Sequence, residues 1–126
     1  MIPSSAICLA LAIFFESRNQ PIEGQKAVAN VVLNRLERDK KSSVCDVVYK
    51  PSQFSWTVEK GKPHKAKEKA KKIDSKAWKK SLIIANASLA ASSDNTNGAI
   101  YFNTIKLGVR YRTKTRPKYF GQHVFY

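Results

Sequence analysis

The residue of this sequence best placed for acid–base chemistry is Glu16, in the segment FFESRNQ. It follows an apolar run, and Phe14 and Phe15 can shield its carboxyl group from water. Loss of water favours the protonated form of a carboxyl group and raises its pKa. A carboxylic acid that is protonated near neutral pH can donate its proton to a glycosidic oxygen. A simple ion pair with Arg18 or a lysine is the alternative role for a glutamate at a helix end.

Other catalytic chemistries have weaker support in the residues. His64 and His123 are the two histidines, and no H-E-x-x-H or similar motif accompanies them, so a zinc amidase is disfavoured and no metal or other cofactor is expected. Cys8 lies among apolar helical residues, where a reactive thiolate is disfavoured. No G-x-S-x-G motif supports a serine nucleophile. We expect Cys8 and Cys45 to be small buried residues, and a disulfide between them stays open.

Three long helices are predicted to position these residues. Apolar side chains nearly encircle a helix from Ser5 to about Phe15, which is typical of a buried central helix. A second helix is predicted from Pro21, at a first helical position, to about Arg38. Its core face is set apart from a polar stripe of Glu23, Asn30 and Asn34, a kind of stripe that often faces solvent. A third helix is predicted to start at an N-cap, Ser75.

The remaining segments predict loops and short strands. The segment with Cys45 and Val47–Tyr49 is predicted to be a loop that leads to PSQFSWT. After Gly98, AIYFNT and GVRYRT are predicted to be short strands around a turn at 106–108, with HVFY as a final strand. A chain of 126 residues with 43% hydrophobic content is expected to bury one core, so residues 1–126 predict a single domain.

The charge predicts an anionic partner. The chain has a formal net charge of +14, and residues 59–80 hold ten lysines against three acidic residues. This excess suits nucleic acid, anionic lipid or acidic wall polymer, and a solvated surface is the simpler alternative. A nucleic-acid-binding domain ranks second to an enzyme, because no helix-turn-helix, zinc-finger or RNP-like motif is present.

The opening MIPSSAICLALAIFF has the length of a signal peptide but lacks a basic start and a small-residue cleavage site. We therefore expect it to be a core helix. No apolar stretch is long enough to predict a membrane span.

Several segments carry a resemblance to a known family. AICLALAIFFESRNQPIEGQKAVANVVLNRL, then VCDVVYKPSQFSWT, GAIYFN and TRPKYFGQHVFY, resemble the cell wall hydrolase family of spore cortex-lytic enzymes (SleB-type) and related phage endolysins. The lysine-rich segment 58–76 does not match the family pattern closely. Ser52 and Val58 stand where many members have cysteines, so a local disulfide there is absent.

The resemblance implies a mainly helical α+β domain, lysozyme-like or lytic-transglycosylase-like, with a small β-hairpin region. It implies a monomeric enzyme that cleaves peptidoglycan between N-acetylmuramic acid and N-acetylglucosamine, with Glu16 as catalytic acid and base. The product is expected to be the 1,6-anhydro sugar of a lytic transglycosylase, and hydrolysis by water, as in a muramidase, is the alternative. The anionic wall is expected to bind the Lys60 to Lys80 run. The expected location is the host cytoplasm until lysis, with action on the cell wall. The substrate groove is expected to include Glu23, Asn30, Gln53, Phe54, Ser55, Tyr101 and Asn103.

Overall fold

The computed structural model describes residues 4–91 and 93–126, in which six helices precede a small three-stranded sheet. The prediction of a mainly helical α+β fold is therefore confirmed. The elements are α1 (Ser5–Ser17), α2 (Ile22–Arg38), α3 (Val44–Val48), α4 (Trp56–Lys60), α5 (Pro63–Ile73), α6 (Ser75–Ala90), β1 (Phe102–Thr104), β2 (Lys118–Phe120) and β3 (His123–Phe125).

Helix α1 is the centre of the core. The Ser4 hydroxyl caps it by accepting a hydrogen bond from the Ile7 backbone N–H at 3.1 Å. Residues 8–14 have no exposed surface, and α2, α3, α5 and α6 all pack against the helix. It extends to Ser17, past the predicted end near Phe15, so Glu16 lies inside its last turn. Residues 1–3 of the opening segment MIPSSAICLALAIFF lie outside the described residues.

The polar stripe of α2 holds the loop that follows α6. Asn30 donates to Asn95 Oδ1 at 3.0 Å, and Asn34 donates to Asp94 Oδ2 and to the Ala99 carbonyl oxygen, each at 2.9 Å. Asn30 is 8% exposed, so these side chains anchor a neighbouring segment instead of facing solvent. Pro21, predicted as the first helical residue, is instead the N-cap residue of α2, which begins at Ile22.

The structure around Cys45 corrects one prediction and decides one open question. The predicted loop contains the short helix α3, because Ser43 and Asp46 form a reciprocal capping box. Cys8 and Cys45 are not separate thiols; they form the disulfide that the sequence left open, and it ties α3 to α1. Their Cα atoms, 37 residues apart in sequence, lie 5.2 Å apart, a proximity that only the packing of α3 on α1 creates.

The lysine-rich segment forms α4, α5 and the start of α6. In α5, Ala66 and Ala70 are fully buried against the core, and most of the lysines between and beyond them are exposed. Helix α6 is capped by Asp74, whose Oδ1 accepts from the Ala77 N–H at 3.0 Å. The predicted cap, Ser75, is instead the first helical residue.

The sheet has the order β1-β3-β2, with both pairs antiparallel. The prediction of a strand in GVRYRT is wrong, because β3 occupies the position beside β1, with Asn103 opposite Val124. The chain turns away at Gly108, which has φ +71°, and the Arg110 N–H donates to the Tyr126 hydroxyl at 2.9 Å. Within the described residues, no helix is long and apolar enough to cross a bilayer.

Candidate active site

Glu16 occupies the end of the buried helix α1, where the core meets the surface. Near this end Ser17 Oγ donates to the Ile13 carbonyl oxygen at 2.8 Å, and Arg18 is the C-cap residue of the helix. A carboxylate at this end also faces the negative end of the helix dipole. The position therefore disfavours the charged form of Glu16.

The pKa of Glu16 is raised from 4.5 to about 7, first because burial removes water from the carboxyl group. The positive charge of Arg35 acts in the opposite direction and lowers this pKa. In residues 4–91 and 93–126 the Glu16 carboxyl group makes no hydrogen bond and no ion pair. The protonated and the ionised form of this carboxyl group are therefore both populated near neutral pH, and the group is free to act on a ligand.

An open cavity of about 360 Å³ gives access to Glu16. Its walls are Phe15, Glu16, Arg18, Asn19, Gln20, Gln122 and His123. The loop after α1 and the β2–β3 turn are joined where Gln20 Oε1 accepts from the Gln122 N–H at 2.9 Å. Gly121 permits this approach, because it has φ +57° and a Cβ there would clash with Gln20 and Pro21. Among the described residues that line this cavity, Glu16 is the single carboxylic acid.

His123 lies in the same cavity and was not among the predicted site residues. It is 9% exposed, packs edge-on against Phe102 and has a buried Nδ1 without a hydrogen-bond partner in the described part of the chain. Burial lowers its pKa, so the imidazole is neutral near pH 7. A neutral imidazole beside Glu16 can both donate and accept a hydrogen bond. The ending GQHVFY was the only sequence signal for this residue.

Arg35 connects the Glu16 region to a second cavity and was also missed, because it resembles a solvated residue of α2. Its Nε donates to the Ile100 carbonyl oxygen at 2.7 Å, and its guanidinium lies 5.6 Å from the centre of the Phe54 ring. Burial lowers its pKa, whereas the charges of Tyr101 and Glu16 raise it. Its Nη1 is buried without a partner in residues 4–91 and 93–126. This N–H group is therefore an unsatisfied donor inside the fold.

The second cavity, of about 280 Å³, contains two of the predicted groove residues, Gln53 and Tyr101. Arg35 is part of the same wall. The Tyr101 ring packs at a tilt of 36° against the Tyr111 ring, with the two centroids 4.7 Å apart. Because Glu16 and Tyr101 both act on the pKa of Arg35, these three residues form one electrostatic neighbourhood.

Phe54, Ser55 and Asn103 support the region instead of lining its cavities. Phe54 is 4% exposed and stacks on Trp56 at 6.1 Å, which places it beneath Arg35. Ser55 is the exposed N-cap residue of α4. Asn103 Nδ2 donates to the Tyr126 hydroxyl at 2.8 Å and to the Gly108 carbonyl oxygen at 3.1 Å, so its amide hydrogens are used within the protein.

Glu23 and Asn30 lie in a different region from Glu16. Asn95 Nδ2 donates to Glu23 Oε2 at 3.2 Å, and Asn30 donates to Asn95 Oδ1. The hydrogen bonds from Asn95 and Lys26 hold the pKa of Glu23 below its usual value. Glu23 and Asn30 line a third cavity of about 520 Å³ that shares no lining residue with the Glu16 cavity. The structure therefore does not bring Glu23 to Glu16 as a second acid.

Comparison with known protein families gives one match over most of the chain. The family model described as Cell Wall Hydrolase matches residues 19–126. Glu16 lies three positions before the start of this match. The family predicted from the sequence segments is confirmed.

Individual relatives agree with the family match. The spore cortex-lytic enzyme of Bacillus subtilis (strain 168) is 44% identical over 48 residues, which is 37% of this chain and 16% of that protein. The catalytic domain of the germination-specific lytic transglycosylase SleB from Bacillus anthracis superposes with a TM-score of 0.64 at 28% identity, covering 98% of this chain and 95% of that domain. The catalytic domain of the Bacillus cereus SleB protein gives a TM-score of 0.60 at 28% identity, covering 99% and 91%.

Proposed function

Because this chain belongs to the cell wall hydrolase family, we propose that it cleaves peptidoglycan between N-acetylmuramic acid and N-acetylglucosamine. Glu16 is its catalytic acid and base. The observation that carries this assignment is the state of the Glu16 carboxyl group in an open cavity. Its pKa is raised to about 7, and it has no hydrogen-bond or ion-pair partner within the described residues. The similarity to a SleB lytic transglycosylase domain over nearly the whole chain supports the same reaction class.

The reaction proceeds through one proton donation and one proton abstraction by Glu16. The protonated carboxyl group donates its proton to the glycosidic oxygen as the bond from that oxygen to C1 of muramic acid breaks. The resulting carboxylate then takes the proton of the muramic acid 6-hydroxyl, and O6 bonds to C1. The product is a 1,6-anhydro sugar, and Glu16 returns to its protonated form without consuming water.

Arg35 supports the ionised half of this cycle. Its charge lowers the pKa of Glu16 against the effect of burial, so the carboxylate formed after proton donation is stabilised. Its hydrogen bond to the Ile100 carbonyl oxygen and its contact with Phe54 keep the guanidinium in place. Arg35 is thus a positioning residue that keeps the pKa of Glu16 near neutrality.

The absence of a second carboxyl group from the described lining of the Glu16 cavity favours the 6-hydroxyl over water as the attacking group. A hydrolase with two carboxylates would place the second one within about 10 Å to hold water or to attack the sugar. Hydrolysis by water is the second candidate, and the open cavity favours it, because solvent reaches Glu16.

Digestion of purified peptidoglycan in oxygen-18 water tests both the activity and its product. We expect Glu16-dependent release of fragments with 1,6-anhydromuramic ends, which lack one water relative to reducing ends. Label at nearly every new muramic acid end would show hydrolysis instead. Release of fragments at an unchanged rate by a folded Glu16→Gln variant would remove Glu16 from the mechanism.

The exposed lysines of α5 supply a binding surface for the anionic wall. Lys65, Lys71 and Lys72 are exposed on a helix that buries its alanines, so their ammonium groups face outward together. Such a surface raises the local concentration of an anionic polymer and is screened by salt. The Cys8–Cys45 disulfide suits an oxidising space outside the cytoplasm, which supports action at the wall.

A further inference from the structure

Two segments carry almost the whole positive excess of the chain. One is the lysine run at 59–80, with ten lysines and three acidic residues. The other, residues 105–119, is called the basic segment here and has no acidic residue. The rest of the chain has seven cationic and six acidic residues, so its net charge is close to zero. The cations of the basic segment are Lys106, Arg110, Arg112, Lys114, Arg116 and Lys118.

The basic segment also exposes more large apolar side chains than the lysine run does. In residues 4–91 and 93–126, ten large apolar side chains are exposed, and five of them belong to the basic segment. The lysine run exposes one of the ten, Ile73. The five are Ile105 (47%), Leu107 (63%), Val109 (47%), Tyr111 (56%) and Tyr119 (60%).

The fold holds the first half of the basic segment in a defined shape. The Ile105 N–H donates to the Gln122 carbonyl oxygen at 2.8 Å, and the Leu107 and Gly108 N–H groups donate to the Thr104 carbonyl oxygen at 3.0 Å. The Arg110 N–H donates to the Tyr126 hydroxyl at 2.9 Å. The aliphatic side chains are therefore presented from a turn that is tied to the sheet, between cationic neighbours.

We propose that the basic segment binds the surface of an anionic lipid bilayer. Lipid phosphates attract its six cations, and the boundary of the acyl chains accepts exposed aliphatic side chains. Tyrosine is favoured at the same headgroup level. A nucleic acid or an acidic wall polymer would account for the cations but leaves Ile105, Leu107 and Val109 in water. Charge and apolar exposure together select the bilayer.

Vesicle sedimentation with the full, disulfide-bonded chain tests this proposal. Vesicles of phosphatidylglycerol and phosphatidylethanolamine should bind the protein, and phosphatidylcholine vesicles should bind it at least about tenfold more weakly. The variant I105S/L107S/V109S should reduce partition into anionic vesicles at least about tenfold. The variant R110Q/R112Q/K114Q should reduce it about 100-fold, since each of the three cations near an anionic surface contributes about a factor of five.

The matched control is K65Q/K71Q/K72Q, which removes the same charge from α5 and should reduce vesicle binding far less. Circular dichroism checks that each variant is folded, and exposed substitutions of this kind change stability little. Equal losses from the two charge variants with no effect of the serine variant would overturn the proposal in favour of diffuse charge. A serine variant that binds vesicles normally but pellets less with purified peptidoglycan would assign the surface to the wall. Neither readout depends on cleavage by Glu16.

Discussion

Replacement of Glu16 by glutamine should make the protein more stable at alkaline pH while it removes activity. The pKa of Glu16 is raised above the value of 4.5 that an unfolded chain gives it, mainly by burial. Below pH 4.5 the carboxyl group is protonated in both the folded and the unfolded state, so ionisation costs nothing. As pH rises from 4.5 to about 7, the unfolded state releases this proton first, and the folded protein loses stability.

The size of this loss follows from the shift. A rise from 4.5 to about 7 corresponds to a loss on the order of 3 kcal/mol in the free energy of unfolding above pH 7. Glutamine keeps the size of the side chain but never ionises, so the variant avoids this loss. The stability of Glu16→Gln relative to the native chain should therefore increase between pH 4.5 and 7 and stay level above that range.

Urea unfolding followed by circular dichroism at pH 4, 5.5, 7 and 8.5 measures this difference. Glu68→Gln is the matched control, because Glu68 is exposed on α5 and its replacement should change stability by less than about 0.5 kcal/mol at each pH. A difference between Glu16→Gln and the native chain that stays constant from pH 4 to 8.5 would refute a raised pKa at Glu16. The proposed general acid would then lack its physical basis.

Three further predictions concern Arg35, the disulfide and α5. Arg35→Gln should raise the pKa of Glu16 further, because the opposing cation is lost, and should move the alkaline limb of the pH–activity profile to higher pH. Arg35→Lys keeps a cation and should move the limb less. An alkaline limb that does not move in Arg35→Gln would contradict the coupling between Arg35 and Glu16. Reduction of the disulfide between Cys8 and Cys45 should lower the free energy of unfolding by about 4 kcal/mol for its 37-residue separation, and an equal melting temperature with and without reductant would contradict this. The α5 variant K65Q/K71Q/K72Q should weaken pelleting with cell walls at 0.05 M salt but much less at 0.5 M salt. If wall binding changes neither with these substitutions nor with salt, the lysines are only a solvated surface.

The long helices and Glu16 could be predicted because their signals are local. Continuous apolar residues over one helix length predict the buried α1, and their end at Glu16 places a carboxyl group beside the core. The family was readable for the same reason, since its segments are contiguous in the sequence.

Short helices and strands were harder to predict, because their sequence signals are weak and do not specify which strands pair. The sequence signal for helix α3 is a single capping box of Ser43 and Asp46, which is too short to set a helix apart from a loop. The apolar alternation of GVRYRT is typical of a strand, but β3 takes the place beside β1, and a sequence does not state which strands pair.

Only the tertiary structure decided which distant residues meet at Glu16. Arg35 and His123 come from the second helix and the last strand, and no spacing in the sequence relates them to residue 16. The packing of α3 on α1 likewise turned two isolated cysteines into a disulfide. Glu23 is seven residues from Glu16 in sequence yet lines another cavity, because the turn before α2 directs it to the loop at Asn95. Sequence determines which groups are present and which local helices they favour, whereas desolvation and charge coupling depend on neighbours that only the folded chain provides.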